Sequence, residues 1–197
     1  MIKQAIIPLA GLGTRLLPIS SVIPKELLPI NGKPGIEYII DECVEAGIKE
    51  IIFIISNKKK MIKKYFYNDL LYKNFFKKKN DKRIFASYKK ILKYKKMIKF
   101  VYQNSPLGTG DAVLKAKNLI KDNFFLMLLP DDLIIKNNCS TSMIKLHKKY
   151  KSSVMAGMVV KNNDVSRWGI YELKKKISNK NFLINDVVEK PSIRNAP

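Results

Sequence analysis

Two cysteines, one histidine and fewer than half as many acids as bases are the scarcities of this 197-residue sequence. Cys43 and Cys139 are too few for a disulfide framework or a thiolate metal site, and Cys43 falls within an apolar helical pattern that reads as core. His147 lies in the helical context Lys145-Leu146-His147-Lys148-Lys149. With no serine or cysteine arranged for nucleophilic catalysis, it reads as a solvated helix position. No long apolar run is present, and Met1 to Ala10 lead into a strand without a basic leader, so the expectation is a cytoplasmic protein with no membrane partner. Zinc-finger spacing, a homeodomain-like pattern and an aromatic RNA-binding motif are also absent.

Thirty-eight Lys and Arg against 16 Asp and Glu leave a formal charge of +22, which raises the question of a polyanionic partner. The excess is nearly all Lys, interleaved with Ile, Asn, Phe and Tyr along the whole chain. That distribution points to compositional drift rather than a dedicated surface. The densest stretch, Lys58-Lys59-Lys60 through Lys77-Lys78-Lys79 to Lys95-Lys96, could hold phosphates weakly. Nucleic acid is not the expected partner.

The length suffices for one core, and the chain reads as a single domain over residues 1–197, with a Lys- and aromatic-rich insertion at 57–97. Ala5 to Leu9 is a continuously apolar run ended by glycines, the pattern of a central parallel strand. After the loop Ala10 to Ile23, Pro34 opens a helix in which Ile36, Ile39, Ile40, Cys43 and Val44 recur at spacings of three and four, stopped at Gly47. Ile51 to Ile55 reads as the next strand, giving a right-handed strand–helix–strand crossover. Within the insertion, Tyr65, Phe66, Tyr67, Leu70, Leu71, Tyr72, Phe75 and Phe76 predict helices laid on the sheet. Further strands are expected at Ile98 to Tyr102, at Phe124 to Leu129 (strongly buried) and at Ser153 to Val160, with helices at Thr109 to Leu119 and Ser142 to Lys151. Trp168 to Leu173 and Phe182 to Glu189 predict a β-hairpin with no closing element after it. The expected fold class is α/β: an open, mostly parallel, Rossmann-like sheet flanked by helices, with an incomplete C-terminal β-hairpin and ligands beyond the carboxyl ends of the strands.

The run Leu9-Ala10-Gly11-Leu12-Gly13-Thr14-Arg15, followed by Pro24-Lys25-Glu26, puts a glycine turn and two cations directly after the first strand. Gly11 and Gly13 can bring backbone N–H groups close to phosphate oxygens. Arg15 offers forked donors and Lys25 a mobile point charge. The loop lacks the Gly-Lys-Ser/Thr ending of a Walker A motif, and Leu16 stands where a dinucleotide fingerprint wants Gly or Ala. The leading reading is an enzyme handling a nucleoside triphosphate, with an ordinary tight turn at Gly11 and Gly13 as the alternative. Gln103, at a strand end, can pair with the edge of a base while Gly108 permits backbone contact with it. The same segment also reads as a glycine-rich helix start with Asp111 in the first turn, favourable to the helix dipole. Asp131 and Asp132 follow a strand, poised either to hold a hard cation bridging phosphate oxygens or simply to make a turn.

Taken together and in this order, these motifs resemble the sugar-1-phosphate nucleotidylyltransferases, over residues 1 to about 191. The resemblance implies transfer of the uridylyl group of UTP to glucose 1-phosphate, with a thymidylyl or other nucleotidylyl transfer as the alternative. It implies that Leu9, Ala10, Gly11, Gly13, Thr14, Arg15 and Lys25 wrap the nucleotide, Arg15, Lys25 and Asp131 being catalytic, and that Gln103 and Gly108 meet uracil. Asp131 is implied to hold Mg2+, and Gly169, Glu189 and Lys190 to bind the sugar and its phosphate on the hairpin. Members resembling this chain continue beyond Glu189-Lys190-Pro191 with another strand, a further sugar-phosphate lysine and a later metal-binding Asp. Their absence here leads to the expectation of a shortened chain with weakened homo-oligomer contacts. A noncatalytic basic nucleic-acid-binding remnant is the contrasting reading.

Overall fold

The computed structural model describes residues 2–68, 72–75, 81–105 and 107–197. Met1, Leu70, Leu71, Phe76, Lys77, Lys78 and Lys79, used in the sequence reading, lie outside the described residues. The chain forms two compact units, Met1–Val154 and Met155–Pro197.

The first unit is built on four parallel strands: β1 (Gln4–Pro8), β2 (Glu50–Ile55), β3 (Ile98–Tyr102) and β4 (Leu126–Met127). They lie in the order β3-β2-β1-β4. Ala5, Ile6, Ile7 and Ile51 to Ile55 are fully buried, as continuous apolar runs in a doubly covered sheet require. Their side chains alternate between two cores. Ile6, Ile52 and Ile54 face Ala112 and Ala116 on and just after α4 (Gly108–Lys115), whose small residues let that helix lie close to the sheet. Ala5, Ile7, Leu9, Phe53 and Ile55 face the other way. There they meet α1 (Gly35–Glu45), α2 (Lys60–Tyr67), α3 (Lys82–Met97) and α5 (Cys139–Tyr150) through residues such as Ile39, Cys43, Phe66, Tyr94 and Ile144. Within residues 57–97, α2 and α3 thus pack on the sheet, through Ile62 and Phe66 and through Ile91 and Tyr94, whereas Tyr67 and Phe75 are exposed. None of the described helices is long and apolar enough to cross a membrane.

Three expectations need correction. Phe124 to Leu129 forms only a two-residue strand, and Phe124, Met127 and Leu129 are exposed. The cause is position: among the described residues β4 pairs only with β1, so its apolar run is an edge, not a centre. Ser153 to Val160 makes no strand, and Met158 and Val159 are 84% and 97% exposed. A β-forming composition becomes a strand only when a neighbour completes the hydrogen-bond ladder, and no described neighbour does so. α5 begins at Cys139, before the expected Ser142, because the Asn138 side chain accepts from Thr141 N at 2.7 Å and caps it.

The second unit is an antiparallel hairpin of β5 (Gly169–Lys176) and β6 (Phe182–Glu189), with register shifts around Leu173. Tyr171 donates its hydroxyl to the Ala156 carbonyl at 2.7 Å.

Charges on the helical face are paired rather than spread. Asp41 on α1 accepts from Lys33 at 2.6 Å, from Lys90 at 3.0 Å and from Tyr94 Oη, while Glu37 accepts from Tyr65 Oη and pairs with Lys90 at 3.1 Å. Burial works against ionisation of Asp41, but the hydrogen bonds from Lys33, Tyr94 and Lys90 outweigh it and hold the carboxyl below its ordinary value. A carboxylate lowered in the folded state contributes stability that is present above its unfolded value and is lost as pH falls through the folded one. Asp41→Asn is therefore expected to flatten the acid limb of the stability curve below about pH 4. Urea midpoints measured against pH test this, and an unchanged limb would mean that Asp41 does not carry the acid sensitivity.

Candidate functional site

The chain runs from β1 outward to β2 and β3, then returns to place β4 on the other flank of β1. In an open α/β sheet such a reversal opens a crevice beyond the carboxyl ends of the two strands involved. The loops leaving β1 and β4 carry Gly11 to Lys25 and Asp131.

Leu9 and Ala10 are buried at the end of β1, with Leu9 N still bonded to the Ile54 carbonyl at 2.7 Å. The chain then turns sharply. Gly13 adopts φ 69°, in the left-handed region that favours glycine, and its carbonyl accepts from Leu16 N at 2.9 Å and Ser20 Oγ at 2.8 Å. Thr14 and Arg15 open a short helical turn, both exposed. After another such turn at Ile19–Ser21, a third, Lys25–Leu27, is closed by Leu27 N to the Pro24 carbonyl at 2.9 Å.

Across the crevice, Leu129 to Asp132 form a tight turn in which Asp132 N reaches the Leu129 carbonyl at 3.3 Å. Pro130 and Asp131 occupy its two central positions. The turn directs Asp131 at Lys25: Nζ lies 2.9 Å from Oδ2, although 106 positions separate the two residues. Desolvation pushes the Asp131 carboxyl upward, but Lys25, its own backbone and the nearby Arg15 guanidinium together hold it below the ordinary value. Asp132 is raised, first by burial and then by the negative charge of Asp131. The two neighbouring acids are thereby driven apart, Asp131 becoming the stronger acid of the two.

Beneath Lys25 lies an ion pair that the sequence reading missed. Glu26 turns inward and receives Lys59 Nζ at 2.7 and 2.9 Å, with both side chains almost wholly buried. The bond ties the Lys25 turn to the segment just after β2. The basic run Lys58-Lys59-Lys60 hid Lys59 among exposed neighbours. A signal was nonetheless present, since Lys59, Ile62 and Phe66 stand at spacings of three and four and all prove buried.

Gln103 follows β3, its N–H bonded to the Ile55 carbonyl at 2.9 Å. The residue is 5% exposed, and Nε2 donates to the Gly108 carbonyl at 3.0 Å and to Asp111 Oδ2 at 2.8 Å. Gln103 and Gly108, expected to act together, are in direct contact.

In the hairpin unit, Gly169 pairs in register with Glu189, and a Cβ at Gly169 would lie 3.1 Å from Glu189 Oε2. Lys190 takes φ 47°, donates its N–H to the Trp168 carbonyl at 2.9 Å and holds Nζ 3.4 Å from Glu189 Oε1. The three expected sugar-site residues thus gather at one end of the hairpin. His147 packs its ring on Phe124 and bonds through Nδ1 to the Ser152 carbonyl at 2.8 Å.

The described residues contain no group of three or more His, Cys, Asp or Glu able to enclose a metal ion. Asp131 offers a single ionised, exposed carboxylate. That set suits a Mg2+ ion, which binds through one or two carboxylates, keeps several waters and takes its other ligands from substrate phosphates.

The nucleotidyl transferase family model matches residues 4–197. The UTP–glucose-1-phosphate uridylyltransferase of Mycoplasma pneumoniae is 36% identical over 197 residues, covering 99% of this chain and 67% of that protein. Among solved structures, the UTP-bound UGPase of Acinetobacter baumannii superposes with a TM-score of 0.89 at 34% identity, covering 100% of this chain and 70% of that one. A UDP-glucose pyrophosphorylase complexed with UDP-glucose gives 0.85 at 33% identity, over 100% and 72%. The chain spans about two thirds of the length of these relatives. A parallel sheet with its crevice at the β1–β4 reversal, a glycine turn with Arg15 and Lys25 on one side and Asp131 on the other, and a match along almost every residue lead to one assignment: the chain belongs to the nucleotidyl transferase family.

Proposed function

We propose that the chain transfers the uridylyl group of UTP to glucose 1-phosphate, releasing pyrophosphate and forming UDP-glucose. The observation that carries this reading is the Lys25–Asp131 contact at the sheet's reversal, with Arg15 beside it. An oxygen of the sugar phosphate attacks the α-phosphorus of UTP. The new P–O bond forms as the bond to the bridging oxygen breaks, and the electron pair leaves on pyrophosphate. No protein nucleophile is needed, because the attacking phosphate already carries negative charge.

The work left to the protein is positioning and charge compensation. The backbone at Leu9, Ala10, Gly11 and Gly13, with Thr14, forms the phosphate cradle, and Arg15 and Lys25 offset the triphosphate charge. Asp131 would hold Mg2+, which when bound neutralises and polarises the phosphate oxygens. Lys25 and Asp131 are partly exposed, and such pairs contribute only about 0–1 kcal/mol, so the pair separates at little cost when a triphosphate arrives. Gln103 and Gly108 face uracil. Gly169, Glu189 and Lys190 receive the sugar and its phosphate.

Pyrophosphate release from UTP tests the reading. It is expected to require both glucose 1-phosphate and Mg2+ and to slow when dTTP replaces UTP. Equal rates with dTTP would move the base assignment to the thymidylyl branch. Salt-sensitive RNA binding without any UTP binding would overturn the enzymatic reading altogether.

A further inference from the structure

The Gln103 amide has two ends, one donating and one accepting, and only one of them can face a ligand. Its Nε2 sits between two acceptors, the Gly108 carbonyl at 3.0 Å and Asp111 Oδ2 at 2.8 Å. Neither can donate, so rotating the amide by a half-turn would set Oε1 against a carbonyl and a carboxylate. Both Nε2 hydrogens are therefore committed to the protein, while no described protein group donates to Oε1. Asp111 is itself held, on the first turn of α4, with Lys115 at 3.7 Å one turn further on.

We propose that Asp111 is a positioning residue for base selection: with the Gly108 carbonyl it fixes the Gln103 amide so that Oε1 alone meets the base, selecting uracil over cytosine. Uracil presents N3–H, a donor, to an acceptor at that place. Cytosine presents an unprotonated N3, and two acceptors would then face each other with no proton between them. Rejection by an unpaired buried polar group is stronger than rejection by shape. The position suits the role, since β3 lies two strand spacings, about 10 Å, from β1 and its phosphate loop. A ribose bridges that interval. Asp111 otherwise reads as a favourable first-turn acid, and this structure gives it a second partner.

The inference rests on the reading that Gln103 meets the base, so the experiment separates the two. Equilibrium binding of UTP and of CTP is measured by calorimetry for the unaltered chain and for Asp111→Ala, Asp111→Asn and Gln103→Ala. The unaltered chain is expected to prefer UTP about 100-fold. Asp111→Ala should reduce that preference about tenfold, the effect of one hydrogen bond to a charged group. Asp111→Asn, which retains an acceptor oxygen, should restore most of it. If Asp111→Ala weakens UTP and CTP equally while Gln103→Ala abolishes the preference, Asp111 serves the helix alone and the proposal falls, with the site reading intact. If Gln103→Ala leaves the preference unchanged, Gln103 does not read the base, and both fall together.

Discussion

Replacing Lys25 by Met is expected to lower kcat/KM for UTP about 10²- to 10³-fold while leaving the fold intact, the magnitude typical of removing one preorganised donor from a developing charge. Met keeps most of the apolar stem, so the change isolates the ammonium group. Lys25 Nζ stands 2.9 Å from Asp131, and the charge of Arg15 also helps to lower that carboxyl. Loss of Lys25 removes a charge that compensates the triphosphate and also the main partner holding Asp131 ionised. The two effects differ in their signature. The first lowers turnover at every pH, whereas the second moves the acid side of the pH–rate profile upward, because the Asp131 carboxyl returns toward its ordinary value. Steady-state kinetics across pH distinguish them. A kcat/KM within threefold of the unaltered chain would remove Lys25 from the machinery.

The second large effect is on stability. Glu26→Ala leaves Lys59 buried with no counter-ion, a change expected to destabilise the first unit by about 3–5 kcal/mol. Burial already depresses the Lys59 amine below its ordinary value, against the pull of Glu26. Without Glu26 it falls further, and shedding the proton limits the loss. Thermal unfolding should show a drop on the order of 10 °C. The paired replacement Glu26→Leu with Lys59→Met should recover most of that stability, since apolar pairs of similar size often replace buried ion pairs without loss. Turnover should stay low in the recovered protein, because the bond that ties the Lys25 turn to the end of β2 is gone. Full activity in that double variant would show that the pair serves stability alone. A shift of less than about 1 kcal/mol in Glu26→Ala would show that Lys59 finds water or another partner.

The sequence by itself determined the parallel strands and which loops carry the candidate site residues. Ala5 to Leu9 and Ile51 to Ile55 are apolar without interruption, which suits only a strand covered on both faces, and both lie at the centre of the sheet. The helix containing Ile36, Ile39, Ile40 and Cys43 declared itself by its period, and Gly47, at φ 81°, ends it. The glycine turn with Arg15 and Lys25, and the Asp pair after a strand, were legible as loop features at strand ends, although the sequence did not show that Lys25 meets Asp131. Tertiary structure decided whatever depends on a neighbour. Ser153 to Val160 has strand composition and no ladder partner, and Phe124 to Leu129 reads as core but forms an edge. Lys59 belongs to a lysine run, yet it is buried because Glu26, 33 positions earlier, turns inward to meet it. The Gln103 amide could have been held in either of two orientations, and the Gly108 carbonyl and the Asp111 carboxylate set which one it takes. Period and composition are local quantities that a chain carries with it, whereas ladder partners, counter-ions and hydrogen-bond direction exist only once distant segments have been brought together.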